Sequence, residues 1–269
     1  MNRVVTPFEP DLATLRKEYT LVDMHVHTAY SHDCATKPEA IAKKLRELNI
    51  GAAITDHNVI GGAMELSTHD DLFIIPGIEV TSKERKDLLI YFNTPRALEH
   101  FYQTIIAPNL KRQERALFST TKLPLTTIID EARQYDCLIS IPHPFATRPK
   151  NAHAYFSQLN NQDALASIDA IEVLNQTQSV KANLASLGWA VQEGKVCTGG
   201  SDAHVLSWLG KAVTATKGTT PSAFLEAIKE GNAFIFGKQA SPTKRFSNLP
   251  TIFTQKANTL LKGARRRQH

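Results

Sequence analysis

Cysteine is scarce and scattered. The 269 residues contain only Cys34, Cys137 and Cys197, an odd number with no C-x-x-C pair among them. This argues against a disulfide framework and against a thiolate zinc knuckle, and a reducing, cytoplasmic setting is the expectation. Long apolar runs are missing as well. Nothing approaches the roughly 20 residues that span a bilayer, and the opening Met-Asn-Arg-Val-Val-Thr-Pro lacks the apolar core of a secretory signal. The chain is therefore read as soluble, with no membrane partner. Aromatic residues make up 7%, and they form no array on which single-stranded bases would stack. Low-complexity tracts and internal repeats are absent too.

What is present is ordinary in bulk. Hydrophobic residues reach 42% and charged residues 21%, enough for a core that needs no covalent staples. The formal charge is +5, but Arg265, Arg266 and Arg267 sit in the last five residues and leave +2 without them. Such a tail is more often a frayed terminus than a phosphate-binding arm. Net charge alone does not identify a nucleic-acid binder.

Short apolar runs alternate with helix-like stretches, the pattern of βα units. Leu21-Val22-Asp23-Met24 reads as a strand. Residues 37–49 read as a helix with Pro38 in its first turn and Ile41, Leu45 and Leu48 on one face. Further strands are expected at 52–54, 72–75, 88–92, 138–141, 168–174, 196–198, 212–215 and 234–236. Helices are expected at 125–135, 180–193 and 221–230. Residues 1–20 read as an N-terminal extension, 21–240 as one domain with a helical insertion near 95–124, and 241–269 as a linker and basic tail.

Polar residues able to bind metals recur where these strands end. The first strand enters His25-Val26-His27-Thr28, with Asp33 six residues past His27. Others enter Asp56-His57, Glu79, His143 and Asp202-Ala203-His204. The C-terminal ends of strands are where a β/α barrel builds its active site. In a strand, residues i and i+2 share a face, so H-x-H can present both imidazoles to one ion. Each piece alone has a plainer reading. An H-x-H is commonly surface or core histidine, His143 between two prolines could be a rigid turn, and Asp202 could cap a helix. Those readings do not explain why five sets fall at corresponding ends. Imidazole and carboxylate without thiolate suit Zn²⁺, Mn²⁺ or Fe²⁺. The donors outnumber what one four-coordinate ion takes, so two or three ions are expected.

At these residues the sequence resembles the PHP (polymerase and histidinol phosphatase) family. The matching pieces are Asp23-Met24-His25-Val26-His27-Thr28, Thr55-Asp56-His57-Asn58, Pro76-Gly77-Ile78-Glu79, Ile141-Pro142-His143-Pro144 and Gly200-Ser201-Asp202-Ala203-His204. The resemblance implies an α/β fold, a distorted seven-stranded (β/α) barrel of PHP type with a trinuclear metal site at the strand ends. It assigns His25, His27, Glu79 and Asp202 to a first ion. Glu79 would bridge to a second ion, shared with His143, and Asp33, His57 and His204 would hold a third. Asp87 occupies the position where a histidine of the second site is usual, and Asp33 stands where many relatives have histidine.

The activity so implied is hydrolysis of a phosphate ester by a metal-activated hydroxide. Arg148, five residues past His143, is a candidate phosphate clamp. Lys83 and Arg85 are read as surface residues, Asn175 as a possible positioning group, and Cys34 as a bystander. A small phosphomonoester or nucleotide is the expected substrate, handled by a stand-alone enzyme. An exonuclease acting on short oligonucleotides is the alternative. A non-catalytic, metal-containing nucleic-acid-binding domain is the rival from another class.

Overall fold

The computed structural model describes residues 3–5, 8–111, 120–147, 149–157 and 161–239. The expected linker and basic tail, and Arg148, lie outside the described residues. One mixed sheet organises the rest. Its strands are β1 (Arg3–Val5), β2 (Thr20–Val26), β3 (Gly51–Ile54), β4 (Ile74–Thr81), β5 (Asp87–Phe92), β6 (Cys137–Ile141), β7 (Ala170–Asn175), β8 (Val196–Gly200), β9 (Ala212–Thr216) and β10 (Phe234–Gly237). They lie in the order β1-β10-β9-β2-β3-β4-β5-β6-β7-β8.

The sheet curls into a nearly closed barrel. Just past β8, Ala203 returns to bridge Val26 of β2. The Ala203 amide donates to His25 O at 3.2 Å, and the His27 amide donates to Ala203 O at 3.1 Å. The expected count of seven strands does not describe this sheet, because β9 and β10 extend the curled sheet to nine, with the short β1 beyond them at the edge. The reason lies in β2, which serves two neighbours along one side. Its first half, Thr20 to Val22, pairs antiparallel with β9, and its far end at Val26 meets the extension of β8.

The helices are α1 (Leu12–Leu15), α2 (Pro38–Leu48), α3 (Gly61–Leu66), α4 (Pro95–Phe101), α5 (Leu125–Ala132), α6 (Ala152–Ser157), α7 (Gln162–Ala166), α8 (Val180–Gln192) and α9 (Pro221–Lys229). Local sequence accounts for their limits. In α2, Pro38 opens the first turn, Ile41, Ala42 and Leu45 are buried, and Asn49 ends the helix in the left-handed region at φ +50°. In α9, Thr220 caps the N-terminus by accepting from the Ala223 amide. The segment after β5 is helical in α4 and continues through a widened turn, with Leu98, Phe101 and Ile106 fully buried.

Two apolar clusters lie on the two faces of the sheet. The smaller takes alternate residues from successive strands: Val22 and Met24, Ala53, Ile75, Leu89 and Tyr91, Leu138, and Ala170. Phe224, Leu225 and Ile228 of α9 complete it, so this helix plugs one end of the barrel. Continuing the same alternation, Ile75 leads to Glu79 and Leu89 to Asp87. One inner face therefore runs from an apolar plug to a polar rim. The larger cluster packs the other helices on the outer face, including Ile41, Leu45, Ile90, Phe101, Ile128, Ile139 and Trp189.

β5 runs antiparallel to both of its neighbours. Its first residue, Asp87, therefore pairs with Thr81 at the end of β4. This reversal brings the start of one strand to the rim where its neighbours end. Among the described residues, no helix is long and apolar enough to cross a membrane.

The seam is latched by Asp23, which is fully buried. Its carboxylate accepts from the Ser201 amide at 2.8 Å, the Ser201 hydroxyl at 2.5 Å and the Gly210 amide at 2.9 Å. Gly200 admits this closure, since a Cβ there would sit 2.6 Å from the backbone nitrogen of His25. Asp23→Ala strands several buried donors and is expected to lower unfolding free energy by about 3 kcal/mol. Urea denaturation of the metal-free protein at pH 7 measures it.

Candidate metal centre

Every expected ligand within the described residues comes to one rim of the barrel. His25 lies near the end of β2 and His27 directly follows it, after a register shift between Asp23 and Val26. His57 follows β3 and is held by a parallel bridge to Glu79. The Asn58 amide donates to Glu79 O at 2.9 Å. Asn58, His143 and Asp202 have φ of +55°, +31° and +54°. For side-chain-bearing residues such conformations cost on the order of 1–3 kcal/mol each, and they cluster where function requires them.

Glu79 is the hub. It is 1% exposed, and its Oε1 lies 3.2 Å from His143 Nε2. Its Oε2 lies 3.2 Å from His25 Nε2, 3.3 Å from His27 Nε2 and 3.3 Å from His57 Nδ1. Asp202 Oδ1 is 3.2 Å from His27 Nε2, 3.4 Å from His204 Nδ1 and 3.6 Å from His25 Nε2. Asp33 Oδ2 is 3.3 Å from both His57 Nε2 and His204 Nε2. Among the described residues, three donor sets have atoms mutually within 4.8 Å: His25, His27 and Asp202; His27, Asp33, His57 and His204; and His57, Glu79 and Asp87. His27 and His57 are each shared between sets, Glu79 groups with His57 and Asp87 and not with His25, His27 and Asp202, and His143 falls in none of the three.

The chemistry of this donor set fits a bound cation. His25 Nδ1 is 3.0 Å from Glu172 Oε1, which fixes the proton on Nδ1 in the neutral ring and turns the Nε2 lone pair inward. That nitrogen faces His27 Nε2 at 3.1 Å, so two imidazole lone pairs converge beside two carboxylates. Such a cluster is repulsive unless protons or metal ions sit among the donors.

Protons supply the charge when no ion is bound. Burial opposes charging His25, but Asp202, Glu172 and Glu79 hold its pKa well above the ordinary histidine value. His204 is likewise opposed by burial, yet Asp33 and Asp202 raise it to about 9. His57 is raised by Glu79 and Asp33 against its burial. His27 goes the other way, to about 4, through burial and the neighbouring charge of His204. Against burial, the histidines hold Asp33, Glu79 and Asp202 well below the usual carboxylate range.

A second layer orients the first, and the sequence reading missed most of it. Glu172 bonds His25 and accepts the His143 amide at 2.8 Å. A register shift in β7 between Glu172 and Leu174 lets Asn175 Nδ2 donate to Glu172 Oε2 at 2.9 Å and to Asp202 Oδ2 at 3.3 Å. Asn175 thus positions carboxylates. The available signal was a lone glutamate inside the apolar run Ile171-Glu172-Val173-Leu174. Asp56 accepts from the Thr28 amide at 2.6 Å and the Thr28 hydroxyl at 2.7 Å, fixing the loop after His27. Burial pushes the Cys34 thiol up to about 12 while it donates to His27 O and His204 O, so it serves as a structural donor. Lys83 and Arg85 are exposed. Asp87 is buried, with Oδ1 taking the Thr81 hydroxyl at 2.7 Å and Oδ2 lying 2.8 Å from Lys150 Nζ.

The site opens to one side. His32, Asp33, Asp202 and His204 have side chains 12–24% exposed, whereas His25, His27 and Glu79 are at 1% or less. An incoming group would meet that rim first.

Comparison with known proteins gives the same outline. The PHP domain family matches residues 23–200, and a PHP-associated family matches 180–233. An uncharacterized protein of Methanocaldococcus jannaschii is 28% identical over 193 residues, covering 71% of this chain and 68% of its own. Endonuclease Q, solved with a 27-mer duplex bearing an abasic lesion at its active site, superposes with a TM-score of 0.64 at 20% identity. The match covers 82% of this chain and 60% of the endonuclease. A two-domain Bacteroides vulgatus protein, described as containing a predicted PHP-like metal-dependent phosphoesterase, gives 0.57 at 13% identity, covering 88% and 69%. At these identities the structural likeness is one of fold.

The raised histidines make the metal-free protein sensitive to alkali. His204 titrates near 6.5 when unfolded and about 9 when folded. Its contribution, about 3 kcal/mol by linkage, is complete below pH 6.5 and lost as pH rises through 9. Metal binding must displace those protons, so affinity climbs over the same window. Thermal denaturation from pH 6.5 to 9 is expected to show a falling midpoint for the metal-free protein and a flatter profile for the loaded one.

Proposed function

The chain belongs to the PHP domain family and is a metal-dependent phosphoesterase, a premise from which we propose that it hydrolyses a small phosphomonoester or nucleotide at the Glu79 centre. The observation that supports this reading is the convergence of His25, His27, His57, Glu79, Asp33, Asp202 and His204 on one partly open rim. A closed structural zinc site would use four donors and keep no free side. That contrast disfavours a purely binding role.

His25, His27 and Asp202, joined by Glu79, would hold one ion, and Asp33, His57 and His204 would hold another. Bound there, divalent transition ions such as Zn²⁺, Mn²⁺ or Fe²⁺ would acidify water and offset charge on phosphate oxygens. The protein's part is placement. Glu172 keeps the His25 ring in one tautomer and orientation. Asn175 and Thr177 hold Asp202 Oδ2 from behind, at 3.3 Å and 3.2 Å, leaving Oδ1 turned toward the imidazoles. Burial of the hub excludes bulk water, which strengthens charge interactions with a phosphate at the rim.

A nucleic-acid substrate is the second reading, supported by the endonuclease Q likeness. A screen of phosphomonoesters, nucleotides and short oligonucleotides with Mn²⁺ supplied separates the two. Turnover of small esters and no oligonucleotide cleavage is the expected result, and cleavage of oligonucleotides alone would overturn the substrate assignment.

Two substitutions test the centre itself. His25→Ala and Asp202→Ala are expected to abolish phosphatase activity while circular dichroism stays near that of the parent, because packing rests on the apolar strand faces. Glu172→Gln sets an amide NH₂ against donors and is expected to cost roughly 10–100-fold in metal affinity or activity. Parent-level turnover and metal affinity in Glu172→Gln would remove its positioning role.

A further inference from the structure

Asp87 stands at the corner where the second ion was expected, and its carboxylate already has a cation. The residue is 2% exposed. Thr81 bonds one oxygen, and the Lys150 ammonium lies 2.8 Å from the other. Lys150 comes from the loop between β6 and α6, seven residues past His143, and its amide donates to Thr147 O at 3.1 Å. Its side chain remains 35% exposed against 1% for Asp87, so the ammonium reaches inward from the rim. Asp87 shares this corner with donor atoms of His57 and Glu79, all within 4.8 Å.

An ammonium 2.8 Å from this carboxylate oxygen disfavours a divalent ion at the same position, because like charges at contact repel strongly in a buried site. His143, the other residue expected on the second ion, lies 3.2 Å from Glu79 Oε1 and belongs to none of the three donor sets. We propose that the Lys150 ammonium takes the place of a metal ion at the Asp87 corner, so that this protein works with two ions and one fixed lysine cation. The inference rests on the metal-dependent reading above and narrows it. Lysine is a compact point charge on a flexible stem, able to fill an ion-sized position from the edge. Unlike a metal, it stays with the chain when chelators strip the site.

The test is the ion count in the full-length protein, loaded with excess Mn²⁺ or Zn²⁺, desalted and measured by elemental analysis. Two ions per chain are expected, and Lys150→Arg keeps two. Lys150→Ala frees the Asp87 carboxylate and raises the count to three, and adding Asp87→Asn to it returns the count to two. Circular dichroism checks that each variant is folded. Three ions in the parent protein, or a Lys150→Ala count that stays at two, overturns the substitution of lysine for metal while leaving the metal-dependent reading intact. Fewer than two ions in the parent overturns the multinuclear centre and this inference with it.

Discussion

The Glu79 carboxylate meets four imidazole nitrogens at 3.2–3.3 Å in a place that water does not reach. A buried charge of this kind persists only if positive charge is supplied around it. Protons on His25, His57 and His204 do so in the metal-free protein, and metal ions would replace them. The protonated and metal-bound forms are thus two solutions to one electrostatic problem, and the competition between them couples metal affinity to pH.

The rest of the fold can be understood as holding that hub at fixed distance. The inner face of the barrel is apolar at the α9 end, where Phe224, Leu225 and Ile228 fill it. It becomes polar only at the opposite rim. Packing at the plugged end determines strand positions, and the rim inherits them. The reversed β5 brings Asp87 to the same rim, and the Asp23 latch holds the loop from Ser201 to Gly210 against β2. Strained backbone at His143 and Asp202 is tolerable because hydrogen bonds on both sides over-determine those residues.

Support for the ligands is distributed unevenly. The His25 side is braced by the run of Glu172, Asn175 and Thr177. The Asp33 side faces solvent more and is held by the Ser31 hydroxyl and the histidines themselves. Between them the Asp87 corner is filled by a lysine from a different loop. A phosphate arriving from the open side would therefore meet the more exposed Asp33 and His204 face first.

The sequence alone determined the class of fold and the residues that gather at the rim. Strand periodicity, helix caps and ligand-bearing strand ends are local properties, encoded within a few residues of one another. His25-Val26-His27 and Asp202-Ala203-His204 declare themselves through the two-residue repeat of a strand. What the tertiary structure decided depends on contacts between distant segments. The extra strands arise because β2 shares one side between β9 and the end of β8, which no local pattern records. Glu172 looked like one acidic residue in an apolar strand, and only the register shift in β7 shows it bonding His25 across 147 residues of chain. Asp87 was visible as a departure from the expected histidine. Its partner Lys150, 63 residues later, could not be read from the chain, because a long flexible side chain reaches a charge in space and leaves no periodic trace in sequence.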